Sequence, residues 1–170
     1  MKLSEYAYQD VIHRCFRCGY CKFPVNWDDV TNCPSYARFR TESFSSGGRL
    51  WLIRAWVNGE LPWSDHLARI VYSCTACKNC VEKCPHSFGE DLVNMVVAAR
   101  TLMVSQGKVP TPVKDFLQNT QLHANPYGIP ARKRGNWMEG VDIPEYNGQE
   151  YLFYTGCEGA FDPRAQKAAR

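Results

Sequence analysis

Residues 74–85 read Cys-Thr-Ala-Cys-Lys-Asn-Cys-Val-Glu-Lys-Cys-Pro, and a related cysteine pattern begins at residue 15. Each run has three cysteines at positions i, i+3 and i+6, followed by a fourth cysteine that precedes a proline. The first run comprises Cys15, Cys18, Cys21 and Cys33, and the second comprises Cys74, Cys77, Cys80 and Cys84. This spacing is typical of 4Fe-4S ligands, because each of the four irons needs one terminal thiolate. The sequence therefore predicts two clusters and one-electron chemistry.

The fourth ligand of each predicted cluster comes from the other run. In two-cluster ferredoxins, the cysteine of the Cys-Pro pair ligates the cluster that the other run holds. The first predicted ligand set is therefore Cys15, Cys18, Cys21 and Cys84, and the second is Cys74, Cys77, Cys80 and Cys33. The proline after each fourth cysteine fixes φ and turns the chain away from the site.

The first run departs from the second in its length. Eleven residues lie between Cys21 and Cys33, whereas three lie between Cys80 and Cys84. We interpret Lys22 to Asn32 as an inserted loop. No other cysteine is a better fourth ligand than Cys33.

Zinc is the rival metal for these cysteines. A structural zinc site needs four ligands, commonly two CxxC pairs. A zinc site would leave a third cysteine and a Cys-Pro cysteine in each run without a coherent role. Disulfides would need an oxidising compartment, and residues 1–10 lack the basic and apolar regions of a secretion signal. A zinc-stabilised binding module is therefore the third and least favoured hypothesis.

The composition is that of a folded protein of moderate size. The chain has 170 residues, of which 45% are hydrophobic, and its formal net charge is +3. This weak charge gives no case for nucleic-acid binding, which normally needs a concentrated basic face. No apolar run approaches the length of about 18 residues that spans a bilayer. We expect a cytoplasmic protein that reaches the inner face of a membrane only through partners.

The apolar spacing predicts a mainly helical fold in the first 124 residues. Predicted helices cover Ser4 to Arg14, Arg49 to Asn58, a segment from Ser64 to the second cysteine run, Glu90 to Gln106, and Thr111 to His123. Their caps follow the usual chemistry: Ser64 is an N-cap candidate, and Gly59 and Gly107 are stop signals. Few alternating runs occur before residue 145, so this part is predicted to be a helical di-cluster domain.

The last 46 residues change in character. Residues 125–149 are predicted to form an ordered linker, and Glu150 to Thr155 a short strand of aromatic and β-branched residues. Asp162 followed by Pro163 predicts a helix start. A single strand and helix cannot bury both faces of the strand. Residues 150–170 are therefore expected to begin an α/β domain that is truncated here or completed elsewhere.

Together these features resemble a known family. The two runs in a helical setting resemble the α-helical ferredoxin domain of heterodisulfide reductase subunits, of the succinate dehydrogenase iron–sulfur subunit and of anaerobic glycerol-3-phosphate dehydrogenase. The stretch 125–128, Asn-Pro-Tyr-Gly, with Arg132, Arg134 and Trp137, is similar to the linker of heterodisulfide reductase D-type proteins. Residues 152–157, Leu-Phe-Tyr-Thr-Gly-Cys, with Asp162-Pro163-Arg164, are similar to the opening of their CCG domain.

The resemblance implies an electron-transfer subunit of a heterodisulfide reductase-like complex in an anaerobic setting. A flavoprotein, a hydrogenase or formate dehydrogenase, or a ferredoxin would be its donor. Cys157 would be a ligand of a noncubane 4Fe-4S cluster in the complete protein, or otherwise a buried thiol. No catalytic residue is predicted within this chain.

A second hypothesis also has two clusters but assigns the chain to a different enzyme. The chain would then be the iron–sulfur subunit of a flavin-linked dehydrogenase that passes electrons to quinone. Its substrate would be a hydroxy acid, glycerol 3-phosphate or an acyl-CoA.

Overall fold

The computed structural model describes residues 5–23 and 31–170, and these residues contain helices and no strand. The α-helices are α1 (Pro34–Phe39), α2 (Ser46–Val57), α3 (Asp65–Tyr72), α4 (Asn79–Lys83), α5 (Leu92–Ser105), α6 (Thr111–His123), α7 (Gly156–Phe161) and α8 (Pro163–Ala169). Short 3-10 helices cover Ile12–Arg14, Glu42–Phe44, Gly89–Asp91, Ala131–Lys133 and Asn136–Met138. The chain divides into two compact units, Met1–Pro110 and Thr111–Arg170. No described helix is long and apolar enough to cross a membrane.

Helices α2, α3 and α5 form the core of the first unit. Their fully buried side chains include Leu50, Ile53, Trp56, Leu67, Val71, Met95, Ala99, Leu102 and Met103. Helix α2 begins three residues before the predicted Arg49, because the Ser45 side chain accepts a hydrogen bond from the Gly48 N–H at 3.0 Å. Ser64 caps α3 as predicted, through the Leu67 N–H. Helix α5 is shorter than predicted at its start, where Gly89–Asp91 forms a 3-10 turn.

The helix predicted from Ser4 to Arg14 is not an α-helix in the described residues from Glu5 onward. This segment makes turns and ends in the 3-10 helix Ile12–Arg14. Its buried side chains are Tyr6 and Ile12, which are six residues apart and would lie on different faces of an α-helix. Tyr6 donates a hydrogen bond to the Met95 carbonyl at 2.7 Å, so it anchors the segment on α5.

The predicted insertion from Lys22 to Asn32 lies partly outside the described residues, which omit 24–30. At its ends, the Asn32 N–H donates to the Lys22 carbonyl at 2.8 Å. The Asn32 side chain also donates to the carbonyls of Cys21 and Asn79. These bonds hold the start of the Cys-Pro segment beside both cysteine loops.

The second unit has a small core of its own around Trp137, Ala160 and Phe161. The buried Asn125 side chain organises the turn before it, because its amide group bonds to the carbonyls of His123 and Ile129 and accepts from two backbone N–H groups. The segment predicted as a linker therefore contributes Trp137 to a core. The two compact units divide at residue 110, so α6, which has no buried residue, falls in the second unit. The domain boundary near residue 124 stays a prediction.

The strand predicted from Glu150 to Thr155 is not formed. Tyr151 and Tyr154 are 82% and 78% exposed, and the segment has no regular secondary structure. A strand is stable only when its backbone groups pair with a neighbour, and no described residue supplies one. The predicted helix start is correct, since Asp162 accepts from the N–H groups of Arg164 and Ala165 and Pro163 opens α8.

Candidate iron–sulfur sites

The first cysteine loop and the second Cys-Pro cysteine line one cavity. The thiols of Cys15, Cys18, Cys21 and Cys84 surround it, with Gly47, His86 and Phe88 among the other lining residues. The structure thus brings together the first predicted ligand set, although Cys84 is more than sixty residues away from the other three in the sequence.

The second loop forms a matching cavity. Its thiols belong to Cys33, Cys74, Cys77 and Cys80, which is the second predicted set. The empty space is about 340 Å³ in the first cavity and about 370 Å³ in the second, counting the open mouth of each. Ser46 and Leu92 line both cavities, so the start of α2 and the start of α5 form a wall between them.

The two cysteine loops share an unusual backbone conformation that the spacing did not predict. Arg17 and Ala76 occupy equivalent places in the two runs, and their φ angles are 59° and 53°. Gly19 and Lys78 are the next equivalent pair, with φ angles of 93° and 64°. For a residue other than glycine, this left-handed region costs about 1–2 kcal/mol. Its repetition at matched positions indicates that both loops wind around their cavities in the same way.

Hydrogen-bond donors point at thiols in both cavities. In the first, the backbone N–H of Arg17 bonds to Cys15 and that of Gly47 bonds to Cys21. In the second, the Ser46 hydroxyl bonds to Cys80. The Ser35 hydroxyl lies 3.4 Å from the Cys33 Sγ but donates its hydrogen to the Phe44 carbonyl at 2.7 Å. Donors of this kind stabilise a thiolate and tune the metal that it binds.

Burial acts against ionisation of several of these thiols. It raises the pKa of Cys15 and Cys80, and it raises the pKa of Cys21 to about 12. A metal must therefore displace protons from these groups when it binds, which couples binding to proton release. All nine cysteines are free thiols, so the sulfur atoms are available as ligands.

The sequence analysis missed one residue of the second cavity. Arg49 lines it from helix α2 and is only 1% exposed. Burial lowers the pKa of its guanidinium, while the nearby thiols of Cys74, Cys33 and Cys80 act in the opposite direction. The hydrogen bonds of Arg49 reach the Ile70, Ser45 and Phe44 carbonyls and the Ser35 and Ser73 hydroxyls. Apolar spacing cannot reveal a buried arginine within a helix of this kind.

Two further side chains hold the loops to the helices. Trp51 of α2 donates to the Cys15 carbonyl at 2.6 Å. Arg100 of α5 donates to the carbonyls of Val71, Tyr72 and Cys74, where α3 leads into the second loop. His86 lies over the mouth of the first cavity, with its Nε2 3.9 Å from the Cys18 Sγ.

Cys157, the ninth cysteine, lies in the second unit and lines neither thiol cavity. It stands in the first turn of α7. The Arg134 guanidinium lies 3.4 Å from its sulfur and also stacks over the Phe161 ring.

No group of three or more His, Cys, Asp or Glu in the described residues is arranged to hold a single metal ion. The thiols instead stand around the two cavities in sets of four.

The comparison with protein families agrees with this geometry. Residues 11–88 match the model of the family described as 4Fe-4S dicluster domain. Residues 11–88 are therefore similar to 4Fe-4S dicluster domains. This match covers all eight cysteines of the two runs. The zinc module of the sequence analysis is not supported.

Three curated proteins are similar to part of the chain. A protein of Bacillus subtilis named Probable iron-sulfur-binding oxidoreductase FadF is 29% identical over 109 residues, which are 58% of this chain and 15% of that protein. EtfAB:quinone oxidoreductase of Syntrophomonas wolfei is 31% identical over 105 residues, which are 57% and 15%. A Probable membrane-anchored ferredoxin of Chromohalobacter salexigens is 32% identical over 106 residues, which are 61% and 16%.

The chain thus spans about 15% of the length of these curated relatives. No solved structure matches it.

Proposed function

We propose that this chain transfers single electrons through two 4Fe-4S clusters, as part of a larger oxidoreductase. The observation that carries the proposal is the gathering of eight thiols into two sets of four around neighbouring cavities. The first cluster would be held by Cys15, Cys18, Cys21 and Cys84, and the second by Cys33, Cys74, Cys77 and Cys80. The clusters, when bound, supply the one-electron chemistry.

The protein contributes ligands, burial and hydrogen bonds to this relay. The left-handed residues of each loop turn three thiols toward one cavity, and the Cys-Pro segment of the other run delivers the fourth. Ser46 and Leu92 line both cavities, so the two proposed clusters would be close neighbours. The buried thiols Cys15 and Cys33 form the protected inner part of each set.

Iron and sulfide analysis tests the cluster proposal. Protein purified without oxygen is expected to contain about eight irons per chain, with broad visible absorption and electron paramagnetic resonance (EPR) signals on reduction. Stoichiometric zinc without visible absorption would refute the proposal. About four irons per chain would mean that only one set of thiols binds a cluster.

Two larger enzymes fit such a relay. A quinone-linked flavin dehydrogenase is supported by the relative named EtfAB:quinone oxidoreductase. A heterodisulfide reductase-like complex is supported by the similarity of residues 125–137 and 152–164 to D-type proteins. In that second case Cys157 would ligate a noncubane cluster, a proposal that the Arg134 contact suits because the guanidinium stabilises a thiolate.

Identifying the partners of the full-length protein would separate these two enzymes. A flavin dehydrogenase, together with membrane association through a partner, is the result expected for the quinone-linked enzyme. Hydrogenase or formate dehydrogenase components would instead favour the heterodisulfide reductase-like complex.

A further inference from the structure

Arg49 is a cation buried beside the second thiol cavity. It lines that cavity together with Cys33, Cys74, Cys77 and Cys80, and it does not line the first. Arginine stays protonated in proteins, so its position puts a positive charge into a site that water scarcely reaches. Isolating such a charge from water is costly unless an opposite charge compensates it.

The partners of Arg49 within the described residues are neutral. Its five hydrogen bonds reach three carbonyl and two hydroxyl oxygens, and none reaches a carboxylate. These oxygens satisfy the N–H groups and fix the direction of the guanidinium. The Ile70 carbonyl and Ser73 hydroxyl, at the C-terminal end of α3, add only the partial negative charge of a helix end. Full compensation must come from another group that faces the cavity.

The four thiols of the second cavity provide that compensation once they ligate a cluster. Four thiolates give a 4Fe-4S cluster a net negative charge, and net charge is one of the factors that set its potential. Ser35 shows how near the guanidinium is to the ligands, since its hydroxyl accepts from the Arg49 Nη2 at 2.8 Å and lies 3.4 Å from the Cys33 Sγ. A fixed cation at this place stabilises the reduced form, which carries one more negative charge.

The cations around the first cavity differ from Arg49. Arg17 is exposed and stacks over the Trp51 ring, and Lys22 forms an ion pair with Glu42. The second cavity also has the exposed Lys78. Salt screens exposed charges far more than buried ones. Arg100 adds a half-buried cation beside the second loop, where it donates to the Cys74 carbonyl, but it lines neither cavity. Since hydrogen-bond donors reach thiols in both cavities, the fully buried charge of Arg49 is the main electrostatic difference among the residues that line them.

We infer that Arg49 is the buried counter-charge of the cluster held by Cys33, Cys74, Cys77 and Cys80, and that it gives this cluster the higher reduction potential. The inference rests on the proposed two-cluster function. When one electron is shared, it leaves the cluster of Cys15, Cys18, Cys21 and Cys84, which is oxidised, and reduces the other. No proton or atom moves in this step. Arg49 acts through the charge it holds beside the ligands and is therefore a positioning residue.

Redox titration monitored by EPR tests the inference on the anaerobically purified chain. Cys18→Ser and Cys77→Ser, each expected to remove one cluster, assign the signals. Arg49→Gln should lower the reduction potential of the cluster held by the Cys33 set by at least 59 mV, which is a tenfold change in the one-electron equilibrium constant. The other cluster should still be bound. Arg49→Lys keeps the charge and loses the planar guanidinium. It should lower the same potential by less than half as much as Arg49→Gln does.

Arg54→Gln is the matched control, because Arg54 lies on the same helix, stacks over Trp51 and lines neither cavity. It should leave both potentials unchanged. The effect of Arg49→Gln should persist at 1 M salt, where the screening length falls to about 3 Å. Equal shifts in Arg49→Lys and Arg49→Gln, or equal shifts of both clusters, would overturn the inference.

If Arg49→Gln does not bind iron, the order of the two reduction potentials in the unmodified protein tests the inference. The Cys33 set must then have the higher potential of the two clusters, and the reverse order would overturn the inference. Fewer than eight irons in the unmodified chain would contradict the proposed function itself, which is a separate outcome.

Discussion

At the scale of single residues, the thiols depend on neighbours that lie far away in sequence. Cys84 belongs to the second run, yet it lines the cavity of the first loop. Cys33 likewise crosses to the cavity of the second loop. This exchange ties the two halves of the domain together, because each site is complete only when both runs are folded.

Replacing Cys84 tests this crossed arrangement. Cys84→Ser should remove or convert the cluster of Cys15, Cys18 and Cys21, although these three residues are unchanged. The cluster of the run that contains Cys84 should keep its EPR signal. Iron per chain should fall by up to about one half.

Cys157→Ser is the control for that substitution, since Cys157 lines neither cavity. It should leave iron content and both signals unchanged. If Cys84→Ser instead abolishes the signal of the Cys74, Cys77 and Cys80 site, the crossed assignment is wrong and each run holds its own cluster.

Cysteine spacing predicts the thiol sets because the chemistry of a cluster fixes the number and pitch of its ligands. It does not predict Arg49, whose role depends on tertiary packing that places a helix residue against a cavity. The sequence also does not predict the left-handed φ angles of Arg17, Ala76 and Lys78, since none of these residues is a glycine. Left-handed backbone at such residues becomes evident only in the folded loops.

At the scale of elements, the start of α2 is the part on which both sites depend. Ser46 lines both cavities, the Gly47 N–H bonds to Cys21, and Ser45 caps the helix. Helices α1 and α4, of six and five residues, were missed because elements so short have no apolar periodicity. The strand at Tyr151 was overpredicted because local β-propensity does not supply a pairing partner.

Gly48 allows this helix start to approach the preceding turn. A Cβ atom built at Gly48 would lie 2.0 Å from the Glu42 carbonyl oxygen, which is a backbone atom that cannot swing away. Gly48→Ala should therefore destabilise the first unit by about 2 kcal/mol or more. We expect a lower melting temperature by circular dichroism and reduced iron in both sites.

Gly47→Ala is the matched control, since its Cβ would meet no atom closer than 3.5 Å. It should change stability by less than about 1 kcal/mol. Equal losses in the two variants would mean that the contact with the Glu42 carbonyl does not determine the effect, since the higher helix propensity of alanine would by itself stabilise both variants.

At the scale of the whole molecule, the eight thiols that line the two cavities all belong to the first unit, and the second unit has a separate core around Trp137. The sequence placed the domain boundary at residue 124 because the pattern of α6 is helical like the region before it. Helical periodicity alone does not tell which core a helix joins. Helix α6 has no buried residue, so its removal should cost the first unit little apolar burial.

Shortened chains test where the cluster domain ends. Fragments 1–110 and 1–124 should bind the same iron per chain and show EPR signals equal to those of the 170-residue chain. They should also melt at the same temperature, because an isolated helix of this length is only marginally stable in water and adds no packing. Fragment 1–124 should gain little helical circular dichroism over 1–110. If 1–110 melts several degrees lower, or loses iron that 1–124 retains, α6 belongs to the cluster domain and the boundary near residue 124 is right.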